Sequence, residues 1–274
     1  MDSRQLSIIG AITFVELMFL EFLFFLGKPE FSLFQTSLGI LISLLAFLGV
    51  FLAYRMTRQG SVEKKVWVLI SLGMLFWLVA DVISLQSPEI STFPAPREIA
   101  VFLGDLFLGT ALFINLRYCS VILSRKGGLL ESNVKSLKDA APALYLVLAA
   151  SFIAGLMLFG FLIIPLATSS LSQSQKLFFY LHLAVDFSLF IISLLLLILL
   201  VGGELEIPFI LLSVAVAING MANLGYLSSV IGVSYLPMGL LDFFYQASRA
   251  IIILSSLLFI QKLRDIEASR SKKF

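Results

Sequence analysis

The chain has 274 residues, 59% of them hydrophobic and 13% charged, with a formal net charge of +2 and a mean hydropathy of +1.04. Soluble domains are ~45–50% apolar and ~25% charged, so a single compact soluble domain is excluded. The lone cysteine, Cys119, excludes an internal disulfide and a Cys-rich metal centre, and the lone histidine, His182, excludes bis-His haem and a multi-His zinc centre. On these counts no cofactor and no metal site is expected. The basic residues lie in loops and the tail rather than along a groove, so no nucleic-acid partner is expected either.

Eight apolar stretches approach the ~20 residues needed to cross a bilayer. In chain order they are 6–27, 31–54, 66–86, 97–123, 142–166, 177–201, 207–231 and 239–262. The first carries Glu16 and Glu21 and no A-x-A-like site follows it, so it reads as a retained helix rather than a cleaved signal peptide. Between spans three and four, Pro94-Ala95-Pro96 marks a helix stop and restart, or a stiff cap over a site. The stretch 125–139 reads as an amphipathic piece lying along the inner membrane surface.

Eight spans put both termini on one side. That side gathers Arg4, Arg55, Arg58, Lys64, Lys65, Arg125, Lys126, Lys135, Lys138, Lys262, Arg264, Arg270, Lys272 and Lys273. The other side has only Lys28, Arg97 and Lys176. The positive-inside rule then makes both termini cytoplasmic, in a cell membrane. Ala80-Asp81-Val82-Ile83-Ser84 with Gly104-Asp105-Leu106-Phe107 has a counterpart in Ala222-Asn223-Leu224-Gly225-Tyr226 with Leu241-Asp242-Phe243-Phe244. The expected fold is therefore all-α: one polytopic membrane domain of eight transmembrane helices, built as two parallel four-helix repeats. Residues 1–123 and 142–264 are the halves, 124–141 a cytoplasmic connector and 265–274 a cytoplasmic tail.

Ionisable residues within spans are costly and are functional candidates by default. Here they are Glu16, Glu21, Asp81, Asp105, His182, Asp186, Asp242 and Arg249, joined by the amides Asn219, Asn223 and Gln246. At ~1.5 Å per residue all the charged ones fall in the outer half of the membrane, which points to one outward-facing acidic pocket. His182 and Asp186 share a helix face, as do Asn219 and Asn223, and Asp242, Gln246 and Arg249 follow one stripe. Glu16 and Glu21, five apart, diverge by ~140°. One reading is structural: the groups satisfy one another between helices, Arg249 pairing with Asp242 or Asp105. Against it stands the charge balance, six acids facing one arginine and one histidine, which calls for a bound cation or for protons.

Every lysine lies in a loop or tail or, as Lys262, at the very inner end of a span, which excludes a retinal Schiff base. Cys119 at the inner end and His182 in the outer half are too far apart for an exosortase-type transpeptidase. The histidines of an alkaline ceramidase are missing.

Gly73-Met74-Leu75-Phe76-Trp77-Leu78-Val79-Ala80-Asp81, then Pro94-Ala95-Pro96 and Phe102-Leu103-Gly104-Asp105-Leu106-Phe107-Leu108-Gly109, resembles the multi-span sensory regions of histidine kinases and diguanylate cyclases. That resemblance implies a sensor, and with no output domain in this sequence it implies a cytoplasmic or membrane signalling partner. Gly73, Phe76 and Asp81 also resemble lysoplasmalogenase-type membrane hydrolases, with Ala80 replacing a glycine and Thr110 and Ala111 standing where a histidine is expected. This second resemblance implies a lipid hydrolase with Asp81 and Asp105 as the catalytic pair. The leading expectation is binding or sensing of a small, cationic ligand, of unknown identity, by Asp81, Asp105, Asp186 and Asp242, with Arg249 as counter-ion. A proton-coupled transporter is the third reading, for which Asn219-Gly220 offers the one point of helix unwinding.

Overall fold

The computed structural model describes residues 32–86, 94–125, 145, 149, 153, 155, 159–199, 206–231 and 238–271. Among them the regular structure is all helical, with no strand. The helices are α1 (Ser32–Met56), α2 (Val62–Gln86), α3 (Pro96–Arg125), α4 (Ile164–Thr168), α5 (Gln173–Leu199), α6 (Glu206–Val230) and α7 (Met238–Ser271). Six of these, all but the short α4, are long and apolar enough to cross a membrane. The predicted first span, 6–27, with Glu16 and Glu21, lies outside the described residues, as does most of the predicted fifth span and of the 125–139 segment.

Local chemistry sets the helix ends. Ser61 caps α2, its Oγ accepting from the Lys64 amide at 3.1 Å. The α1–α2 turn before it needs Gly60, whose φ is +79°. Pro96 opens α3 at the position where a missing N–H costs nothing, and Glu98 reaches back to accept from the Ala95 amide at 2.7 Å. The prolines therefore act as a helix restart. Ser172 and Gln175 form a reciprocal capping box ahead of α5, with bonds of 2.9 Å and 3.4 Å. A single π-helical turn, Phe159–Ile163, precedes Pro165 in α4, where proline crowds the carbonyl one turn back. By contrast α6 runs unbroken through Asn219 and Gly220. α7 continues to Ser271, nine residues past the apolar stretch, on the helix propensity of residues such as Leu263, Arg264 and Ala268.

The long helices pack as a closed ring in the order α1, α2, α3, α5, α6, α7 and back to α1. Large apolar side chains such as Leu45, Leu52, Phe113, Leu177, Ile207 and Met221 point outward, while Ser43, Asp105, Asp186, Asn219, Asn223 and Gln246 are buried. That apolar-out, polar-in arrangement suits a lipid solvent. Small residues, including Ala46, Ala53, Ala111, Ala215 and Ala222, are fully enclosed and let the helices approach. Ser248 and Ser255 of α7 donate to the carbonyls of Ala215 and Pro208 on α6, at 2.8 and 2.7 Å. At one end of the ring Trp67, Phe209 and Phe259 form an aromatic cluster with centroids 4.7–5.9 Å apart. The buried ionisable residues, Glu98, Asp105, His182, Asp186 and Arg249, gather toward the other end.

α2 lies tightly on α3 at Gly73. A Cβ at Gly73 would lie 2.8 Å from Leu108 Cγ and 3.0 Å from the Gly104 carbonyl oxygen. Gly73→Ala should therefore lower stability by ~1–3 kcal/mol through overpacking. Thermal unfolding of the detergent-solubilised protein measures it.

Candidate functional site

Asp105 stands nine residues into α3, ~14 Å from the helix start, and is completely buried. α2 and α6 turn donors toward it. Trp77 Nε1 donates to Oδ1 at 3.1 Å, Asn219 Nδ2 to Oδ1 at 3.4 Å, and Asn223 Nδ2 to Oδ2 at 2.9 Å. The approach of Trp77 depends on Gly104, because a Cβ there would lie 2.5 Å from the indole Cδ1. From α5, His182 and Asp186 meet the same point on successive turns of one face. His182 Nε2 is 3.5 Å from Asp105 Oδ2 and 3.7 Å from Asp186 Oδ2. Asn223 also donates to Asp186 Oδ1 at 2.9 Å, and its own Oδ1 accepts from Tyr245 OH of α7 at 2.8 Å. Gly220 lets α6 come close to α5 here, its Cβ position being 3.3 Å from the Asp186 carbonyl oxygen.

Two atoms at the centre of this cluster are left over. His182 Nε2 and Asp186 Oδ2 are buried and have no hydrogen-bond partner, and neither does His182 Nδ1. Phe102 and Phe178 flank the imidazole edge-on, with centroids at 5.6 and 5.9 Å, and so fix its plane without satisfying its nitrogens.

A second network centres on Asp81, with Arg249 Nε left without a partner. Arg249 Nη2 of α7 donates to Asp81 Oδ1 at 2.9 Å, and Ser43 Oγ of α1 donates to Asp81 Oδ2 at 2.6 Å. This corrects the expected pairing of Arg249 with Asp242 or Asp105. Asp242 sits two helical turns away on the same helix, ~10 Å along the axis, and Asp105 is taken up by Trp77 and the two asparagines. Gln246, also buried, fills the space left by Gly39 of α1, while Asp242 is partly exposed near the start of α7. The predicted group of acids is thus divided. Asp105, His182, Asp186, Asn219 and Asn223 come together, whereas Asp81 and Arg249 neutralise each other. Asp81 and Asp105, the pair implied by the hydrolase resemblance, are held by different partners.

Five residues that sequence reasoning did not count among the site candidates take part. Ser43 and Tyr245 have the roles given above. Glu98 is buried and accepts from Tyr226 OH at 2.8 Å, and Arg97 lies over the Tyr226 ring at 5.5 Å. Tyr226 belongs to the repeated motif after Asn223, which was its one signal. Glu98 reads in the sequence as an ordinary acid at a helix start. No family model matches the chain, and neither a curated protein nor a solved structure does.

Removing one partner of a buried ion pair strands the other charge, at a cost of ~3–5 kcal/mol. Arg249→Met should cost that much stability, and the double variant Asp81→Asn/Arg249→Met should recover part of it. Equilibrium denaturation in detergent compares the two.

Proposed function

We propose that the chain is an eight-span membrane protein with cytoplasmic termini that binds or senses a small cation at Asp105, His182 and Asp186. The carrying observation is the pair of enclosed carboxylates converging on a single imidazole while the buried guanidinium of Arg249 is committed to Asp81. Charge that is unbalanced inside a bilayer is expensive, and a bound cation offsets it. The skewed distribution of lysine and arginine supports an outward-facing site.

The repeat reading draws support from the ring order, which a half-turn carries onto itself with α1, α2 and α3 moving to α5, α6 and α7. One sequence offset separates Trp67 from Phe209, Ser71 from Ser213 and Asp81 from Asn223. Ser71 donates to the Trp67 carbonyl and Ser213 to the Phe209 carbonyl, at 2.8 and 2.9 Å. Asp81 is held by α1 and α7, and Asn223 bridges α5 and α3. The half-turn exchanges these two sets of partners, so the site and the ion pair occupy equivalent places in the two halves.

A thermal-stability screen in mild detergent tests the binding reading across metal ions, sodium and small amines. A ligand at ~100 times its dissociation constant stabilises by ~2.7 kcal/mol. That shift should appear in the parent and vanish in Asp105→Asn; no response to any cation would sink the proposal. Orientation is tested in a Cys119→Ser background carrying either Gln59→Cys or Ser170→Cys. A membrane-impermeant maleimide applied to intact cells should label only the latter, and labelling of Gln59→Cys would reverse the topology.

A further inference from the structure

We infer that the cation is a divalent first-row transition ion, of which zinc and manganese are the model cases, held by Asp105 Oδ2, His182 Nε2 and Asp186 Oδ2. The inference rests on the cation-binding reading above and names the chemical class of its ligand. Its first support is geometric. One donor atom from each of the three residues can be chosen so that all lie within 4.8 Å of one another. Two metal bonds of ~2.1 Å at a tetrahedral angle place their donor atoms ~3.4 Å apart. The separations of 3.5 and 3.7 Å from Nε2 to the two carboxylate oxygens are close to that edge. At those lengths they fall outside hydrogen-bond geometry, and Nε2 and Asp186 Oδ2 both lack a partner.

The second support is the setting of the donors. In metal sites the ligating carboxylates are themselves hydrogen-bonded by an outer shell that fixes their orientation. Here Trp77 and Asn219 hold the far oxygen of Asp105, and Asn223 ties Asp105 to Asp186 through one amide nitrogen. Tyr245 in turn fixes the Asn223 amide. The remaining atoms, Nε2 and Asp186 Oδ2, are 3.7 Å apart and have no partner.

The chemical class follows from charge, donor type and size. Two aspartates and a neutral imidazole make a net-neutral group with a divalent ion, whereas a monovalent cation leaves one negative charge in the membrane interior. Imidazole nitrogen suits zinc, iron, copper and nickel better than calcium or magnesium. Calcium takes six to eight oxygen ligands at 2.3–2.6 Å, and magnesium keeps several waters. Donor atoms this close, with aromatic rings packed on the imidazole, match a single ion better than an organic amine.

The test uses the full chain, purified in detergent through a histidine-free tag and stripped with EDTA. Zn2+, Mn2+ and Co2+ should raise the unfolding temperature where Mg2+, Ca2+, Na+ and ethylamine do not, and one equivalent should remain after gel filtration. His182 is the chain's only histidine. Pulsed electron paramagnetic resonance of the Mn2+-loaded parent should therefore show imidazole nitrogen coupling that can come from no other residue. This readout does not depend on any variant folding. Trp77→Phe, which removes the nearer of the two donors to Asp105 Oδ1, should weaken the metal ~10–100-fold. Stabilisation by sodium or ethylamine but by no transition ion would overturn this inference and leave the cation-binding reading standing. Bound metal without the nitrogen coupling would overturn it as well, and silence toward every cation would overturn both.

Discussion

A carboxylate buried inside a membrane bundle must find its partners within the protein, because lipid offers none. Asp105 imposes that condition on the rest of this ring. The tryptophan and two asparagines that answer it come from α2 and α6, and the imidazole opposite it from α5. Bringing those helices within reach of α3 requires close backbone approaches at that level. The glycines meet the requirement: Gly104 makes room for the indole of Trp77, Gly73 lets α2 lie on α3, and Gly220 lets α6 lie against Asp186. Polar chemistry and tight packing are therefore one design here, since without the glycines the donors would fall short of the carboxylate.

The two polar networks differ in the charge of the donors that hold their carboxylates. Asp81 has an arginine on one oxygen and a serine hydroxyl on the other, so its charge and its lone pairs are both answered. Such a pair locks α1, α2 and α7 together, with the cost of desolvating two charges offset by good geometry. Around Asp105 the donors are neutral amides and an indole, which orient carboxylates without cancelling their charge. The unpartnered atoms of His182 and Asp186 lie beside these carboxylates, while in the other network Arg249 Nε is left without a partner.

Much of the helical layout was legible in the sequence because the membrane makes hydropathy a direct measure of position. The six long helices agree with the apolar stretches to within a few residues at most ends, and the larger departures have local causes. Ser61 and the charged turn after it extend α2 backward, and good helix formers carry α7 on to Ser271. Pairing on one helix was also legible: the spacings of His182 with Asp186 and Asn219 with Asn223 place each pair on one face, and both pairs arrive at Asp105. Partners between helices were not, because they depend on ring order, which a one-dimensional pattern does not carry. Arg249 has Asp242 on its own stripe, yet the ring presents Asp81. A buried Glu98 was invisible for a related reason, as its partner Tyr226 lies on α6.

The ring is polar toward one end and aromatic at the other, and this asymmetry bears on which activity suits it. Trp67, Phe209 and Phe259 are buried with their rings in contact, and α2, α6 and α7 all contribute to the plug. A carrier would have to separate those rings to release a cation on that side, forfeiting contacts that each bury most of a large side chain. It would also need a helix able to yield near the site, and α6 is continuous through Asn219 and Gly220 where unwinding was expected. At the other end the closure is polar, with Tyr226 donating to the buried Glu98 and Arg97 lying over the Tyr226 ring.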